Sequence, residues 1–155
     1  MTTETQTNLH ITRLLNAPRD CVWRAWTDPK ELATWWWPAK LRTTYDLHLH
    51  EGGTYRFRTA ELEDRSVTEL TGHFLEVREP ERLVYTWRWT GVDGEETRVT
   101  VIFDDRGDQT EVRLTHEPFA EPEDRANHVV GWNSCIDRLE QKVNAEALRT
   151  AATGG

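Results

Sequence analysis

The sequence predicts an α+β fold in which a curved, seven-stranded antiparallel sheet wraps around one long C-terminal helix, with two short helices after the first strand. The first reason is that apolar and polar residues alternate through several segments separated by short turns, which is typical of strands with one wet face. The second is that apolar residues recur at steps of three and four between Pro122 and Leu148, as in an amphipathic helix. The third is that apolar residues recur at helical spacing before residue 40, in segments bounded by prolines.

The segment before residue 40 predicts one strand and two short helices. The strand covers residues 8 to 16 and stops before Pro18. Pro18 suits the first turn of a helix, which ends at Asp28. Pro29 can open a second short helix, and Pro38 closes that helix because it cannot continue the backbone hydrogen bonds.

Six further strands follow, separated by turn residues such as Gly52 and Gly53. The clearest alternation lies at residues 83 to 89, where four bulky side chains share one face of the strand. Short turns between successive strands predict an antiparallel meander. The six predicted strands cover about residues 41 to 50, 55 to 58, 67 to 77, 83 to 89, 99 to 103 and 112 to 116.

The last predicted element is an amphipathic helix from about residue 122 to residue 148. Such a helix can bury its apolar stripe only by lying in the concave face of the sheet. Residues 8 to 148 are therefore expected to form one domain, with flexible ends at residues 1 to 7 and 149 to 155. The apolar stripe consists of Val129, Trp132, Ile136, Leu139 and Val143.

The charge balance excludes some classes of partner. There are 27 acidic residues against 19 Lys and Arg, which gives a formal net charge of -8. Because an acidic surface repels phosphate backbones and anionic lipid headgroups, neither nucleic acid nor a membrane surface is an expected partner. The N-terminus shows no basic region followed by an apolar run, and no long apolar run occurs elsewhere, so a cytoplasmic location is expected.

The two cysteines, Cys21 and Cys135, are far apart and form no CxxC motif. They predict neither a disulfide framework nor a zinc site, and two buried thiols are expected. The sequence also has no phosphate-binding glycine loop, no dinucleotide fingerprint and no motif of a covalent nucleophile. No metal and no cofactor are therefore expected.

Several short motifs occur in a fixed order along residues 8 to 143. They are Val22-Trp23-Arg24-Ala25-Trp26-Thr27-Asp28-Pro29 followed by Trp35-Trp36-Trp37-Pro38, then Gly52-Gly53-Thr54-Tyr55-Arg56-Phe57, then Glu79-Pro80-Glu81-Arg82-Leu83-Val84-Tyr85-Thr86-Trp87, and Gly131-Trp132. In this order they resemble the family of Hsp90 ATPase activator-like domains. That family is a branch of the START-like, or SRPBCC, superfamily with the helix-grip fold.

The resemblance implies a cavity between the long helix and the sheet. Related domains use this cavity for lipids, polyketides, plant hormones or other apolar molecules. The resemblance implies no particular activity, because one fold supports many functions. Hsp90 activators carry the domain behind an N-terminal domain that engages the chaperone; because no such domain is expected here, Hsp90 is not an expected partner.

Aromatic side chains on the inward face predict either a filled core or the lining of a cavity. The resemblance favours a cavity, and small-molecule cavities are mostly apolar with few polar groups. A hydrophobic or aromatic small molecule is therefore the expected ligand. The predicted ligand-binding residues are Trp36, Tyr45, Phe57, Tyr85, Trp87, Trp89, Phe103, His116, His128, Trp132 and Cys135.

Three of these residues are candidates for acid–base catalysis. His116 shares the inward side of its strand, His128 lies one turn before Trp132 on the long helix, and Tyr85 faces the same interior. Together they could polarise a carbonyl or move a proton, as in a cyclase or dehydratase acting on a polyketide-like substrate. The alternative is that both histidines are structural and bind backbone or water.

Two other polar patterns have a structural interpretation. His48 and His50 are two residues apart, as metal ligands can be, but they share the wet face of their strand and are expected to be solvated. Arg13 falls on the inward face of the first strand, where it would need a carboxylate such as Glu117, a ligand anion or a route to water. A kink that turns Arg13 outward is the alternative.

The leading functional prediction is binding of a hydrophobic or aromatic small molecule, which is sequestered or carried without turnover. Trapping a toxic natural product for resistance is a special case of it. The second hypothesis is the cyclase or aromatase described above. The third is a stress or chaperone accessory that acts through its surface. An exposed edge strand, or a surface tryptophan among residues 35 to 37, could also support a homodimer.

Overall fold

The predicted architecture is confirmed by a computed structural model, which describes residues 8–61, 66–90 and 96–153, the side chains of residues 39 and 150–153 excepted. One strand, two short helices, a single-turn 3₁₀ helix, six more strands and a long helix follow one another along the chain. The elements are β1 (Leu9–Leu15), α1 (Arg19–Thr27), α2 (Pro29–Leu32), the 3₁₀ helix (Ala39–Leu41), β2 (Thr44–Leu47), β3 (Thr54–Arg58), β4 (Glu69–Arg78), β5 (Arg82–Trp89), β6 (Thr97–Arg106), β7 (Gln109–Glu117) and α3 (Pro122–Thr153).

All seven strands belong to one antiparallel sheet with the order β1-β7-β6-β5-β4-β3-β2. Successive strands from β2 to β7 are neighbours, and β1 closes the far edge by pairing with β7 along its whole length, from Leu9 opposite His116 to Leu15 opposite Thr110. α1, α2 and α3 cover the apolar face. This arrangement is the predicted helix-grip fold.

Several element bounds differ from prediction, three of them for a clear physical reason. The second helix ends at Leu32 rather than near Pro38, because the N–H groups of Thr34 and Trp35 bind carbonyls three residues earlier and the chain continues as turns. The strand predicted at 41 to 50 is limited to β2, since a 3₁₀ turn precedes it and a local turn follows it. α3 runs to Thr153 rather than to 148, and its last turns contain several alanines, the best helix formers.

The ladder between β4 and β5 is interrupted, and the ring of Tyr55 fills the interruption. Tyr55 pairs with Gly72 on the neighbouring strand, and its hydroxyl donates a hydrogen bond of 2.5 Å to the carbonyl oxygen of Thr86 on β5. The Thr86 hydroxyl in turn accepts from the N–H of His73 at 2.9 Å. These side chains therefore satisfy backbone groups that the regular ladder leaves unpaired.

Much of the concave side is packed with aromatic rings. Trp23 and Trp26 of α1 lie against Phe103 with ring centroids 5.4 and 5.8 Å apart, at steep angles. Trp26 also lies 6.3 Å from Trp132 of α3. Edge-to-face contacts of this kind add to the stability gained from burial. The space between the sheet and the helices is consequently a core rather than one large cavity.

Arg13 faces the predicted side of β1 and binds carboxylates, as one of the expected alternatives required, but Glu117 is not among them. Its guanidinium donates to Asp137 at 2.8 Å and to Glu140 at 2.9 Å, both on α3. Glu117, the suggested partner, instead pairs with Arg98 at 3.1 Å. The chain brings α3 across the end of β1, so the arginine meets carboxylates from the helix and fixes its position on the sheet.

Candidate functional site

A cleft opens between α3, the end of β5 and the turn after α2; we call it the α3 cleft. Its volume is about 530 Å³, within the usual range for small-molecule sites. Among the residues that the structure describes, its lining contains no carboxylate. The lining residues are Trp36, Trp37, Pro38, Trp87, Trp89, Asn127, His128, Gly131, Trp132, Ser134, Cys135 and Arg138.

The period of each element explains which side chains reach the cleft. Trp87 and Trp89 are two residues apart on β5, so both point to the concave side. On α3, positions 128, 131, 135 and 138 recur at steps of three and four, so they share one face of the helix. The cleft therefore forms where this face passes the last inward residues of β5.

The walls of the cleft are indole rings in contact with one another. Trp36 meets Trp132 edge to face at 5.2 Å, and Trp87 lies 5.2 Å from Trp132 at a tilt. Trp37 and Trp89 lie nearly parallel, 14° apart in orientation and 6.0 Å between centroids. Of the tryptophan run considered for a dimer surface, Trp37 is thus half-buried against Trp89, and its two predecessors are buried.

Four of the five tryptophans that line the cleft have indole N–H groups of two kinds. Trp132 donates to Nδ1 of His116 at 3.0 Å, and Trp89 donates to Nε2 of His128 at 3.1 Å. The indole nitrogens of Trp36 and Trp87 are buried and have no hydrogen-bond partner. Buried polar groups are nearly always paired, so two unpaired donors among the residues of one cleft require an explanation.

His116 is fully buried behind the cleft rather than on its surface. Because Nδ1 accepts from Trp132, Nε2 carries the proton and donates to the hydroxyl of Thr97 at 2.7 Å. Burial, and to a smaller extent the neighbouring His128, lower the pKa of His116 to about 2. His116 is therefore a neutral histidine with both ring nitrogens occupied.

His128 lies half-buried at the cleft. Its Nδ1 is 2.7 Å from the carbonyl oxygen of Asp124, one turn earlier on α3, and its Nε2 accepts from Trp89. These two contacts fix the tautomer with the proton on Nδ1. His128 and His116 are neighbours, with ring centroids 5.2 Å apart.

Tyr85, the third catalytic candidate, does not line the α3 cleft. It is buried beside a small void of about 10 Å³ deeper in the core, and its hydroxyl lies 3.5 Å from the indole nitrogen of Trp26. Burial raises its pKa above the ordinary value. Of the three candidates, only His128 is thus placed at the cleft surface.

Cys135 and Arg138 connect α3 to the turn that carries Trp36. The Cys135 thiol is 2.8 Å from the carbonyl oxygen of Trp36, and Arg138 donates to the same oxygen at 2.7 Å and to that of Trp35 at 2.9 Å. Burial raises the pKa of the Cys135 thiol to about 11, so the thiol is protonated. These bonds satisfy the turn's carbonyls and hold Trp36 in place.

The structure separates the predicted ligand-binding residues into two groups. Trp36, Trp87, Trp89, His128, Trp132 and Cys135 line the α3 cleft. The others are packed elsewhere: Phe57 and Tyr85 border the small void, Tyr45 lies on Phe57, Phe103 contacts α1, and His116 sits behind Trp132. The alternation of side chains along a strand predicts correctly which residues face inward. It does not show how much of the interior those side chains fill.

Other lining residues were not predicted from the sequence. Gly131, Ser134 and Arg138 lie on the helix face shared with His128 and Cys135. The step of three and four from His128 could have identified them. Trp37 and Pro38 could not be found in this way, because the path of the chain after α2 follows from tertiary contacts.

A second depression lies on the opposite, solvent-facing side of the sheet. It has a volume of about 490 Å³ and is polar and open, with charged side chains from β2 to β5 such as Asp46, Arg56 and Arg88. In contrast to the α3 cleft, its described lining has one aromatic residue, Tyr55, and is otherwise polar or glycine. The α3 cleft is therefore the better candidate site.

The described residues show no features of two other kinds of site. Residues 8–61, 66–90 and 96–153 contain no group of three or more His, Cys, Asp or Glu placed to hold a metal ion. Within the same residues, no helix is long and apolar enough to cross a membrane. His48 and His50 are exposed in the segment that follows β2, so both are solvated as expected.

Solved structures share this fold. Protein CV1439 from Chromobacterium violaceum is 22% identical with a TM-score of 0.76, and the match covers 88% of this chain and 96% of that chain. CalU16 from Micromonospora echinospora is 26% identical with a TM-score of 0.69, covering 94% and 82%. NE0264 from Nitrosomonas europaea is 22% identical with a TM-score of 0.72, covering 94% and 99%. No curated protein matches the chain.

One family model matches most of the sequence. It is described as Activator of Hsp90 ATPase homolog 1-like protein, and it matches residues 16–144. The match starts after the first strand and ends within α3, so it includes every lining residue of the α3 cleft. The fold is of a kind that binds small molecules. The chain therefore belongs to the Activator of Hsp90 ATPase homolog 1-like family and has the START-like, helix-grip fold.

Proposed function

We propose that this protein binds a hydrophobic or aromatic small molecule in the α3 cleft and sequesters or carries it without turnover. The observation that carries the proposal is a cleft of about 530 Å³ whose walls are mainly tryptophan rings. Apolar walls with a few placed polar groups are the usual chemistry of small-molecule sites. Burying the faces of an aromatic ligand against indoles is favourable because it removes apolar surface from water.

The site is smaller and nearer the surface than a cavity running the length of α3. The interior of the core holds a void of only about 10 Å³, too small for a ligand. A ligand would therefore occupy the end of the concave side, between α3 and Trp89, with one edge facing solvent. This position suits a carrier, because the ligand can enter and leave without opening the core.

The second candidate, a cyclase acting on a polyketide-like substrate, has less support from the geometry. Tyr85 lies behind the small void, and both nitrogens of His116 are engaged by protein groups. A general acid or base must come within hydrogen-bond reach of the substrate. His128 alone meets that condition at the cleft, and its Nε2 already accepts from Trp89.

The third candidate, a stress or chaperone accessory acting through its surface, predicts a protein partner and no ligand. The first two candidates predict saturable binding of a small molecule. A ligand titration therefore separates the surface function from the others. A substrate screen with product analysis then separates a carrier from a cyclase, since only the cyclase changes its ligand.

Blocking the cleft is expected to abolish binding without disturbing the fold. Gly131 lines the cleft, and a Cβ at this position would meet nothing within 4 Å. In Gly131→Trp the new ring should occupy the ligand's space. We expect the affinity for the aromatic probe 8-anilino-1-naphthalenesulfonate, measured by fluorescence titration, to fall at least about tenfold, since about 1.4 kcal/mol of lost contact is enough.

The matched control is Val130→Trp, which places the same ring on the next residue of α3. Val130 is 68% exposed and does not line the cleft. This variant should bind the probe with wild-type affinity and one-to-one stoichiometry. Equal affinity in all three proteins would show that the probe binds elsewhere and would contradict the proposed site.

A further inference from the structure

We propose that the ligand of the α3 cleft is an aromatic acid, whose carboxylate pairs with the guanidinium of Arg138 while its rings lie against the tryptophans. This inference rests on the proposed function, because it specifies the chemistry of that function's ligand. It goes further by assigning one residue to recognition and by predicting the charge of the ligand.

Arg138 is a charged residue of the cleft without a counter-ion. It is half-buried and lines the cleft, and the described lining contains no Asp or Glu. Within the part of the chain that the structure describes, no carboxylate forms an ion pair with it, in contrast to Arg13 and Lys142, which each bind two. A partly buried charge is stabilised only by a partner or by water.

The carboxylates closest to Arg138 in sequence are engaged elsewhere. Asp137 and Glu140 both accept hydrogen bonds from Arg13 of β1, at 2.8 and 2.9 Å. Because these contacts hold α3 on the edge of the sheet, the two carboxylates are committed to the other side of the helix. The positive charge of Arg138 is therefore available to a ligand.

The protein uses one edge of the Arg138 guanidinium and leaves Nη1 free. Nε donates to the carbonyl oxygen of Trp35 at 2.9 Å, and Nη2 donates to that of Trp36 at 2.7 Å. Since Nε and Nη2 form one edge of a planar group, these bonds fix its orientation before a ligand arrives. Nη1 has no hydrogen-bond partner among the described residues and is not among their buried unpaired atoms, so it is accessible.

This accessibility distinguishes Arg138 from the unpaired indoles of the cleft. The indole nitrogens of Trp36 and Trp87 are shut off from solvent, so a ligand in the cleft does not reach them. Nη1 carries two N–H groups and shares the positive charge. Charge-assisted hydrogen bonds are about twice as strong as neutral ones, so a carboxylate is the acceptor that this group favours.

The remaining walls require the rest of the ligand to be aromatic. Indole rings form most of the cleft, and offset or edge-to-face contacts with them favour a flat ring system. A neutral hydrocarbon that filled the cleft would displace water from Nη1 and give it no acceptor, whereas a cation would meet Arg138 and no carboxylate. An aromatic ring system with one carboxylate meets both requirements.

The test compares 2-naphthoate with 2-naphthamide, which have the same rings and nearly the same size but differ in charge at neutral pH. Each is titrated into the full chain, and its affinity is measured by calorimetry. We expect 2-naphthoate to bind at least about tenfold more tightly than 2-naphthamide, because its hydrogen bonds with Arg138 are charge-assisted. This comparison in the wild type needs no variant.

Variants assign the preference to Arg138. In Arg138→Gln the charge is lost, and the two ligands should bind with equal affinity. Arg138→Lys keeps a cation and should restore part of the preference for 2-naphthoate, which a purely structural role would not do. Arg149→Gln is the matched control, because Arg149 is exposed on α3 and does not line the cleft. It changes the net charge equally and should leave the preference at the wild-type value.

The outcomes separate this inference from the proposed function. Equal affinity of the wild type for the two ligands would overturn the inference while leaving the cleft as an apolar binding site. Binding of neither ligand would overturn both. A preference for 2-naphthoate that persists in Arg138→Gln, or that falls as much in Arg149→Gln, would overturn the role of Arg138.

Discussion

Gly72→Ala is expected to lower the free energy of unfolding by about 3 to 5 kcal/mol, measured by urea denaturation. A Cβ at this position would lie 2.1 Å from the carbonyl oxygen of Thr86 and 2.6 Å from Cε1 of Tyr55. Because the carbonyl is backbone, it cannot rotate away, and relief requires β4 and β5 to move apart. That movement would also weaken the hydrogen bond from Tyr55 to Thr86.

The control for this substitution is Gly131→Ala, on the face of α3 that lines the cleft. Nothing lies within 4 Å of the added Cβ, and alanine is the better helix former. The free energy of unfolding should therefore rise by about 0.5 to 1 kcal/mol. If Gly72→Ala unfolded at the wild-type urea concentration, the packing of the Tyr55 ring across β4 would be wrong.

Lowering the pH is expected to destabilise the fold because of His116. The loss of stability begins well above the pH at which His116 is protonated in the folded protein. The unfolded chain binds a proton at this residue near pH 6.5, whereas burial lowers the folded pKa to about 2. The unfolded state therefore holds more protons between these values. The stabilising contribution is complete above about pH 6.5 and falls by about 1.4 kcal/mol for each pH unit below it.

Replacing His116 with a residue that does not titrate isolates this effect. His116→Gln keeps a side chain that can donate and accept hydrogen bonds. Between pH 6.5 and 4.5 the wild type should lose about 2 kcal/mol more than the variant, measured by urea unfolding at each pH. Parallel pH profiles for the two proteins would show that His116 is not held neutral by burial.

Strand and helix periods predict the side on which the principal residues lie. The alternation of residues 83 to 89 places Tyr85, Trp87 and Trp89 on the concave side, and the structure confirms that Tyr85 and Trp87 are buried. The apolar stripe on α3, which includes Trp132 and Val143, packs in the core. Period is a local property of the chain, so it can be read without knowing the tertiary contacts.

Period does not show how much of the concave side is filled. Phe103 and Phe57 were expected at the ligand because they face inward, but α1 covers Phe103 and Tyr45 packs on Phe57. Filling depends on where the rings of α1 and the turn after α2 are placed. The location of the cleft at one end of α3 could therefore not be predicted from the sequence.

The long-range polar partners of the arginines could not be predicted from the sequence either. Arg13 meets Asp137 and Glu140, more than 120 residues away, rather than Glu117. Arg138 was assigned no role, although it binds the carbonyl of Trp36. Any of several carboxylates or carbonyls satisfies a guanidinium chemically, and only the packing of α3 on the sheet selects among them.

The aromatic packing of the core limits where a ligand can bind more than the fold type does. A helix-grip domain with an open interior could enclose a ligand, whereas in the part of this chain that the structure describes the interior void is about 10 Å³ and the larger apolar cleft lies between α3 and the tryptophans at the end of β5. The polar hollow on the solvent-facing side of the sheet is of similar volume but different chemistry. The location of the ligand is thus the central claim.

The measurement that tests this claim most directly is a set of intermolecular NOEs between 8-anilino-1-naphthalenesulfonate and the protein. We predict NOEs from the aromatic protons of the probe to Trp37, Trp89 and Trp132, at one equivalent of ligand. NOEs instead to Thr71 and Arg88, in the polar hollow, would contradict the proposed site.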